Sequence, residues 1–276
     1  MPENVIIAYK DLGETPLESL EKARIKHNID ANTPMTYAGR LDPMAEGLMI
    51  LLVGEECKNK DKYFGLDKTY KFEILVGFET DTYDLLGIVA SLEIVSERSS
   101  DNITSSEDKI SGPRVGSPDA EILSSNFVPA LKSFVGTFIQ KYPSFSSKTV
   151  GGKQLFQLSK DDELPSKMPE HEVTISRLEF IRESNISKED LCKEIIRRIG
   201  LVRGDFRQKE ILEKWQEVFE NSKEGNYKII SCVCECSSGT YIRQLVADIS
   251  QKVGIPMVTY SIKRTKVGKY TEQKTA

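Results

Sequence analysis

The sequence predicts an α+β fold, in which some strands follow one another directly and others are separated by helices. Three observations carry this reading. Residues 68–77 set Tyr70, Phe72, Ile74 and Val76 on one face at period two. After a polar loop at 78–87, residues 88–95 return as a strand with no helix between them. The chain also closes on two successive strands, 258–265 and 267–270.

The remaining elements follow in order. Residues 5–9 form a short buried strand. Thr15-Pro16 supplies an N-cap with proline at the first helical position, so a helix runs over 17–27. An apolar strand at 47–53 leads into a short charged helix near 55–64. Residues 96–118 are serine-rich with almost no large apolar side chains, the composition of a mobile surface insertion. A helix over 121–135 is expected to bury Ile122, Leu123, Phe127, Leu131, Phe134 and Val135. Residues 141–171 open with interleaved glycines, lysines and aromatics, which suits a segment that grips an RNA backbone and stacks on bases. A strand follows at 172–182. Residues 186–226 then read as a charged helical insertion, with Glu194 and Arg198 at i,i+4 spacing and the sole Trp215. A strand over 227–236 turns through Ser237-Ser238-Gly239-Thr240 into a helix over 241–253, which Gly254-Ile255-Pro256 ends. No repeat of 20–50 residues is present, and a single domain is expected.

Composition narrows the function classes. The chain has 276 residues, 39% hydrophobic and 29% charged, enough to bury a sizeable core. No apolar run approaches the roughly 18–20 residues of a membrane span. Met1-Pro2-Glu3-Asn4 lacks the pattern of a signal peptide, so a cytoplasmic protein away from membranes is expected. Five cysteines, an odd number, argue against a disulfide framework. Cys232, Cys234 and Cys236 share one strand face, and His27 and His171 are isolated, so reduced structural thiols fit better than a metal site. A net charge of −4 excludes a broadly basic surface. Cations do cluster locally. Lys141, Lys148, Lys153 and Lys160 have no acid among them, and Lys263, Arg264, Lys266, Lys269 and Lys274 face only Glu272. Each island fits a polyanion footprint or an ordinary solvated face.

The chemically odd stretch is Tyr37-Ala38-Gly39-Arg40-Leu41-Asp42-Pro43-Met44-Ala45-Glu46-Gly47. Core packing gives no reason for a carboxylate between a glycine turn and an apolar strand, although Asp42 before Pro43 also fits a helix N-cap. Two further segments stand out, Lys68-Thr69-Tyr70 and Cys236-Ser237-Ser238-Gly239-Thr240-Tyr241-Ile242-Arg243. With Gly151-Gly152-Lys153-Gln154-Leu155, they resemble the TruB family of tRNA pseudouridine synthases over about residues 5–270.

That resemblance implies a central mixed sheet flanked by helices, with the active-site cleft across it. It implies a stand-alone enzyme, monomeric and without a cofactor, that isomerises uridine 55 in the TΨC stem-loop of tRNA. Asp42 matches the family's catalytic Asp, Arg243 the Arg that pairs with it, and Tyr70 the aromatic that lies against the target base and takes its proton. Ile262 matches an apolar residue beside the base. Tyr37, Arg40, Lys148, Lys153, Tyr241 and Lys10 are the further candidates for substrate contact. The chain also departs from the pattern. Lys10-Asp11-Leu12-Gly13 lacks the family's proline, Tyr37 stands where many members have His, and no PUA domain is expected after Tyr270. Arg40-Leu41-Asp42 is also similar to ribosomal-RNA synthases of the same superfamily. The alternatives are therefore a synthase for ribosomal or another structured RNA, or an inactive tRNA-binding factor.

Overall fold

The structure, a computed structural model, describes residues 4–90, 120–222 and 225–272, the side chains of 120–125 excepted. The serine-rich segment 96–118, positions 91–95 of the expected strand, the side chains of Ile122 and Leu123, and Lys274 lie outside the described residues.

Strand β1 (Val5–Lys10) leads to α1 (Pro16–Lys26), which Thr15 and Glu18 cap reciprocally. Next come β2 (Met35–Tyr37), β3 (Ala45–Val53), a 3₁₀ turn at Gly54–Asn59, α2 (Lys60–Phe64) and β4 (Lys68–Val76). After α3 (Ala120–Ser133) the chain forms β5 (Gly136–Lys141), the small hairpin β6 (Thr149–Val150) and β7 (Lys153–Gln154), and α4 (Leu155–Lys160). The long β8 (Glu170–Ser187) precedes the helix pair α5 (Lys188–Leu201) and α6 (Gln208–Asn221). Then follow β9 (Asn226–Cys236), α7 (Ile242–Val253), β10 (Met257–Val267) and β11 (Tyr270–Thr271).

Among the described residues, nine strands form one sheet in the order β1-β3-β10-β4-β9-β8-β5, with β2 on β3 and β11 on β10. The β3–β10 pair is parallel and the other pairs antiparallel, so the sheet is mixed. Because side chains alternate along a strand, the two faces of the sheet build separate cores. Phe72, Ile74, Cys232 and Cys234 pack under Leu20, Phe127, Leu131, Leu245, Val246 and Ile249 from α1, α3 and α7. Leu75, Ile229 and Val258 face the other way, under Leu191, Ile195, Ile199, Ile211 and Trp215 from α5 and α6.

Several expectations shift. Residues 88–90 make only an isolated bridge, Thr80 with Val89. Val135 is exposed because α3 ends at Ser133, before the chain reaches it. The charged stretch at 186–226 is two helices folded back on each other, since two separate apolar stripes must cover the same sheet face. β10 runs unbroken through Val267. The second basic island is not one free surface, because Arg264 is fully buried and Lys263 pairs with Glu272 at 3.0 Å.

Candidate active site

The site forms where β3, β10 and β4 lie side by side. In register, Ile262 sits beside Ala45 and Phe72, and Arg264 beside Gly47 and Tyr70. Gly47 is forced by this approach. It has φ +116°, and an added Cβ would stand 2.3 Å from the Arg264 carbonyl oxygen. The loop before β3 carries Asp42 and is held from beneath. Gly13 N–H donates to the Pro43 carbonyl at 2.9 Å, and Lys10 Nζ donates to the Ala45 carbonyl at 2.6 Å. Arg264 ties the same loop to the sheet through the Arg40 carbonyl at 3.1 Å and the Leu48 carbonyl at 2.8 Å.

Arg243 enters from the other side, in the first turn of α7. The turn before it is fixed by Gln140, whose amide accepts from Tyr241 N–H at 2.9 Å and donates to the Tyr241 carbonyl at 3.2 Å. The guanidinium donates through Nε to Asp42 Oδ2 at 2.8 Å, through Nη1 to the Thr82 carbonyl at 2.7 Å, and through Nη2 to the Phe145 carbonyl at 3.0 Å. Asp84 Oδ2 lies 3.6 Å from Nε. Arg243 is 4% exposed at the side chain while Asp42 is 39% exposed, so the cation is the buried anchor and the carboxylate faces the opening. Burial works against the Arg243 charge, but Asp42 and Asp84 more than offset it and hold the guanidinium firmly protonated. Burial pushes the Asp84 carboxyl up to about 6, with Arg243 opposing.

These groups line a cleft of about 690 Å³, within the usual range for a small-molecule or nucleotide site of roughly 300–1,000 Å³. Of the residues singled out in the sequence, Tyr37, Arg40, Asp42, Tyr70, Tyr241, Arg243 and Ile262 all line it. Asp42 caps no helix. Tyr70 is buried, and that burial pushes its phenol up to about 12, partly opposed by Arg264. Lys10 does not line the cleft. It is fully buried beneath the Asp42 loop, where desolvation lowers its ammonium to about 8, so its contact is with the loop rather than with a ligand. Lys148 and Lys153 also stand apart. Lys148 lies over the Tyr142 ring at 5.0 Å, and Lys153 is taken by Glu163 at 2.7 Å.

Sequence reasoning missed Asp84, Arg264 and Lys68 as site residues. Lys68 is buried with its ammonium lowered to about 8 by desolvation, and it donates to Ser238 Oγ at 2.7 Å at the cleft wall. Its place in Lys68-Thr69-Tyr70 was a signal. Asp84 had only the alternation of Thr80, Thr82 and Asp84 in a polar loop, which does not reveal that all three are buried. No group of His, Cys, Asp and Glu among the described residues is arranged to hold a metal ion. No helix among them is long and apolar enough to cross a membrane.

Comparison with known proteins gives a consistent result. Residues 27–120 match the family model described as TruB family pseudouridylate synthase, N terminal domain. A protein of Limosilactobacillus reuteri (strain DSM 20016) named tRNA pseudouridine synthase B is 29% identical over 273 residues, covering 99% of this chain and 70% of that protein. Its namesake from Bacillus pumilus (strain SAFR-032) is 28% identical over 271 residues, covering 98% and 67%. Among solved structures, a chain of a Cbf5–Nop10–Gar1 complex superposes with a TM-score of 0.53 at 14% identity, over 99% of this chain and 51% of that one. This chain thus spans about half the length of that structural neighbour, and the likeness bears on the fold alone. The family model, the motifs and relatives that match nearly the whole of this chain together support a TruB family pseudouridine synthase, an isomerase.

Proposed function

We propose that the protein isomerises uridine 55 in the TΨC loop of tRNA to pseudouridine, as a monomer and a single catalytic unit, with Asp42 as its catalytic carboxylate. The observation that carries this reading is the 2.8 Å pair between half-exposed Asp42 and buried Arg243 in the cleft. A carboxylate beside a dry base needs a fixed cation to stay ionised, because an unpaired buried charge costs several kcal/mol. Arg243 supplies it from a guanidinium whose every edge is held. The tRNA substrate is supported by the names of the relatives that match the chain end to end.

The reaction needs no net gain or loss of atoms. The N1–C1′ bond breaks, the C5–C1′ bond forms, and the base loses the proton on C5 while N1 gains one. The uridine must leave its stack, at a cost of a few kcal/mol, and the cleft offers Tyr37, Tyr241 and Ile262 as apolar and aromatic surface to receive it. Tyr70 meets the base as a neutral phenol at neutral pH, given its raised value. It can therefore take the C5 proton only as a transient phenolate, after its own hydroxyl proton has passed to N1, with Arg264 beside it to oppose the charge.

The test is Asp42→Asn on a tRNA transcript tritiated at uridine C5. Tritium release is expected to fall to background while the transcript still binds, and retained release would remove Asp42 from the chemistry. Pseudouridine mapping in total RNA with and without the protein checks the target. A gain confined to ribosomal RNA would move the substrate and leave the role of Asp42 intact.

A further inference from the structure

The α5–α6 lobe has no part in the chemistry above, yet its connecting loop reaches the cleft. Asp205, Phe206 and Arg207 line the same cavity as Asp42, Tyr70 and Arg243. The loop is built into place. Arg203 N–H donates to the Gly13 carbonyl at 3.3 Å, and the Arg203 side chain pairs with Glu18 at 3.2 Å. Gln208 donates to the carbonyls of Val202 at 3.1 Å and Gly204 at 2.7 Å. Gly13 is pressed so closely on the lobe that an added Cβ would stand 2.4 Å from the Leu201 carbonyl oxygen.

Arg207 is the unusual member. Its backbone is left-handed, φ +63°, a conformation that Gly or Asn adopts with less strain, so the side chain is the reason to look for a role. The guanidinium lies 4.5 Å over the Phe145 ring and its Nη2 is 2.9 Å from Asp81. Phe145 is the residue whose carbonyl receives Arg243, so the lobe touches the catalytic pair at one remove. A guanidinium held over an aromatic ring at the cleft wall can present its remaining donors to a phosphate. Lys160 lines the cleft too and lies 3.9 Å from Asp205, and a further cation pair, Arg40 and Lys60, lines it beside the Tyr37 ring. In a chain of net charge −4, this concentration of cations at one cleft suits a strand of phosphates.

We propose that the α5–α6 lobe is an RNA-gripping wall of the cleft, with Arg207 contacting a phosphate of the bound strand. This rests on the RNA substrate of the proposed function. The rival role is a clamp that merely fixes the Phe145 segment, and salt dependence separates the two. Equilibrium binding of an unmodified tRNA transcript to the full chain is measured from low to high salt for wild type, Arg207→Gln and Arg207→Lys. Lys214→Gln, on α6 in an exposed pair with Glu217, is the control. Arg207→Gln is expected to weaken low-salt binding about 5–10-fold and to reduce the slope of log K against log salt by about one phosphate contact, roughly 0.7–0.9. Arg207→Lys keeps the slope, and Lys214→Gln matches wild type. A wild-type slope in Arg207→Gln, with turnover lost, overturns the proposal in favour of the clamp. A wild-type protein that binds no tRNA overturns the functional reading itself, and this proposal with it.

Discussion

Arg243 uses every edge of its guanidinium, on Asp42, on two backbone carbonyls and near Asp84. Two carboxylates therefore share one cation, but they are not equivalent. Asp84 is buried, receives the Leu86 N–H at 2.9 Å and the Thr82 hydroxyl at 2.8 Å, and is still raised to about 6 because burial outweighs these bonds. In the unfolded chain an Asp titrates near about 4. The folded protein therefore holds a proton that the unfolded chain has lost. The stability from this group is fully present below about pH 4 and is lost as pH rises through about 6. Asp84→Asn removes the titration. Between about pH 4 and pH 7 the wild type is expected to lose about 3 kcal/mol relative to the variant, at about 1.4 kcal/mol per pKa unit. Denaturant unfolding at both pH values measures this, and parallel pH curves for the two proteins would rule it out. Asp42 and Arg243 were legible in the sequence because each sits in a compact motif. Asp84 was not, since its burial depends on a loop being covered by elements far along the chain, among them α7 and the lobe.

At the scale of elements, local chemistry was readable wherever it was local. α1 starts at the capping box of Thr15 and Glu18, α7 stops at Gly254 in the left-handed conformation, and β4 turns Tyr70, Phe72 and Ile74 to one side as its alternation requires. What failed depended on distant partners. The carbonyl nearest to Lys10 belongs to Ala45, 35 residues on, so nothing near Lys10 in the sequence marks it as buried. The charge of 186–226 concealed two apolar stripes, Leu191, Ile195 and Ile199 on α5 and Ile211, Trp215 and Val218 on α6. Trp215 is their keystone in contact terms. It is 1% exposed, its indole N–H donates to the Leu85 carbonyl at 3.2 Å, and its ring lies 5.3 Å from Phe78 and 5.8 Å from Phe219. Trp215→Ala is expected to cost about 3–5 kcal/mol, the range for removing a large aromatic from a packed core. A denaturant midpoint shifted by less than 1 kcal/mol equivalent would mean that the lobe packs loosely on the sheet.

For the whole molecule, the question is whether that lobe is an appendage or half of the core. Strand pairing alone allows it to be removed. β8 and β9 pair regularly from Arg182 opposite Ser231 up to Ser187 opposite Asn226, so a two-residue turn could join them and close a plain hairpin. The packing opposes this. The lobe covers Leu75, Phe78, Leu85, Val258 and Tyr260, all buried, together with Tyr227 and Ile229 from the hairpin itself. Uncovering a large apolar side chain costs about 1.5–3 kcal/mol, and several at once exceed the roughly 5–15 kcal/mol by which a domain is stable. They would also form one contiguous apolar patch on a sheet face, which favours association. Replacing residues 188–225 by a short turn is therefore expected to give a protein that aggregates or binds an apolar dye, as seen by size-exclusion chromatography and dye fluorescence. A soluble monomer with the wild-type melting temperature would instead show that the sheet needs only its α1, α3 and α7 face. The lobe would then serve the cleft without serving the fold. The expected outcome joins the two roles, because the helices that complete the second core also hold Arg207 at the cleft, and removing the lobe removes both.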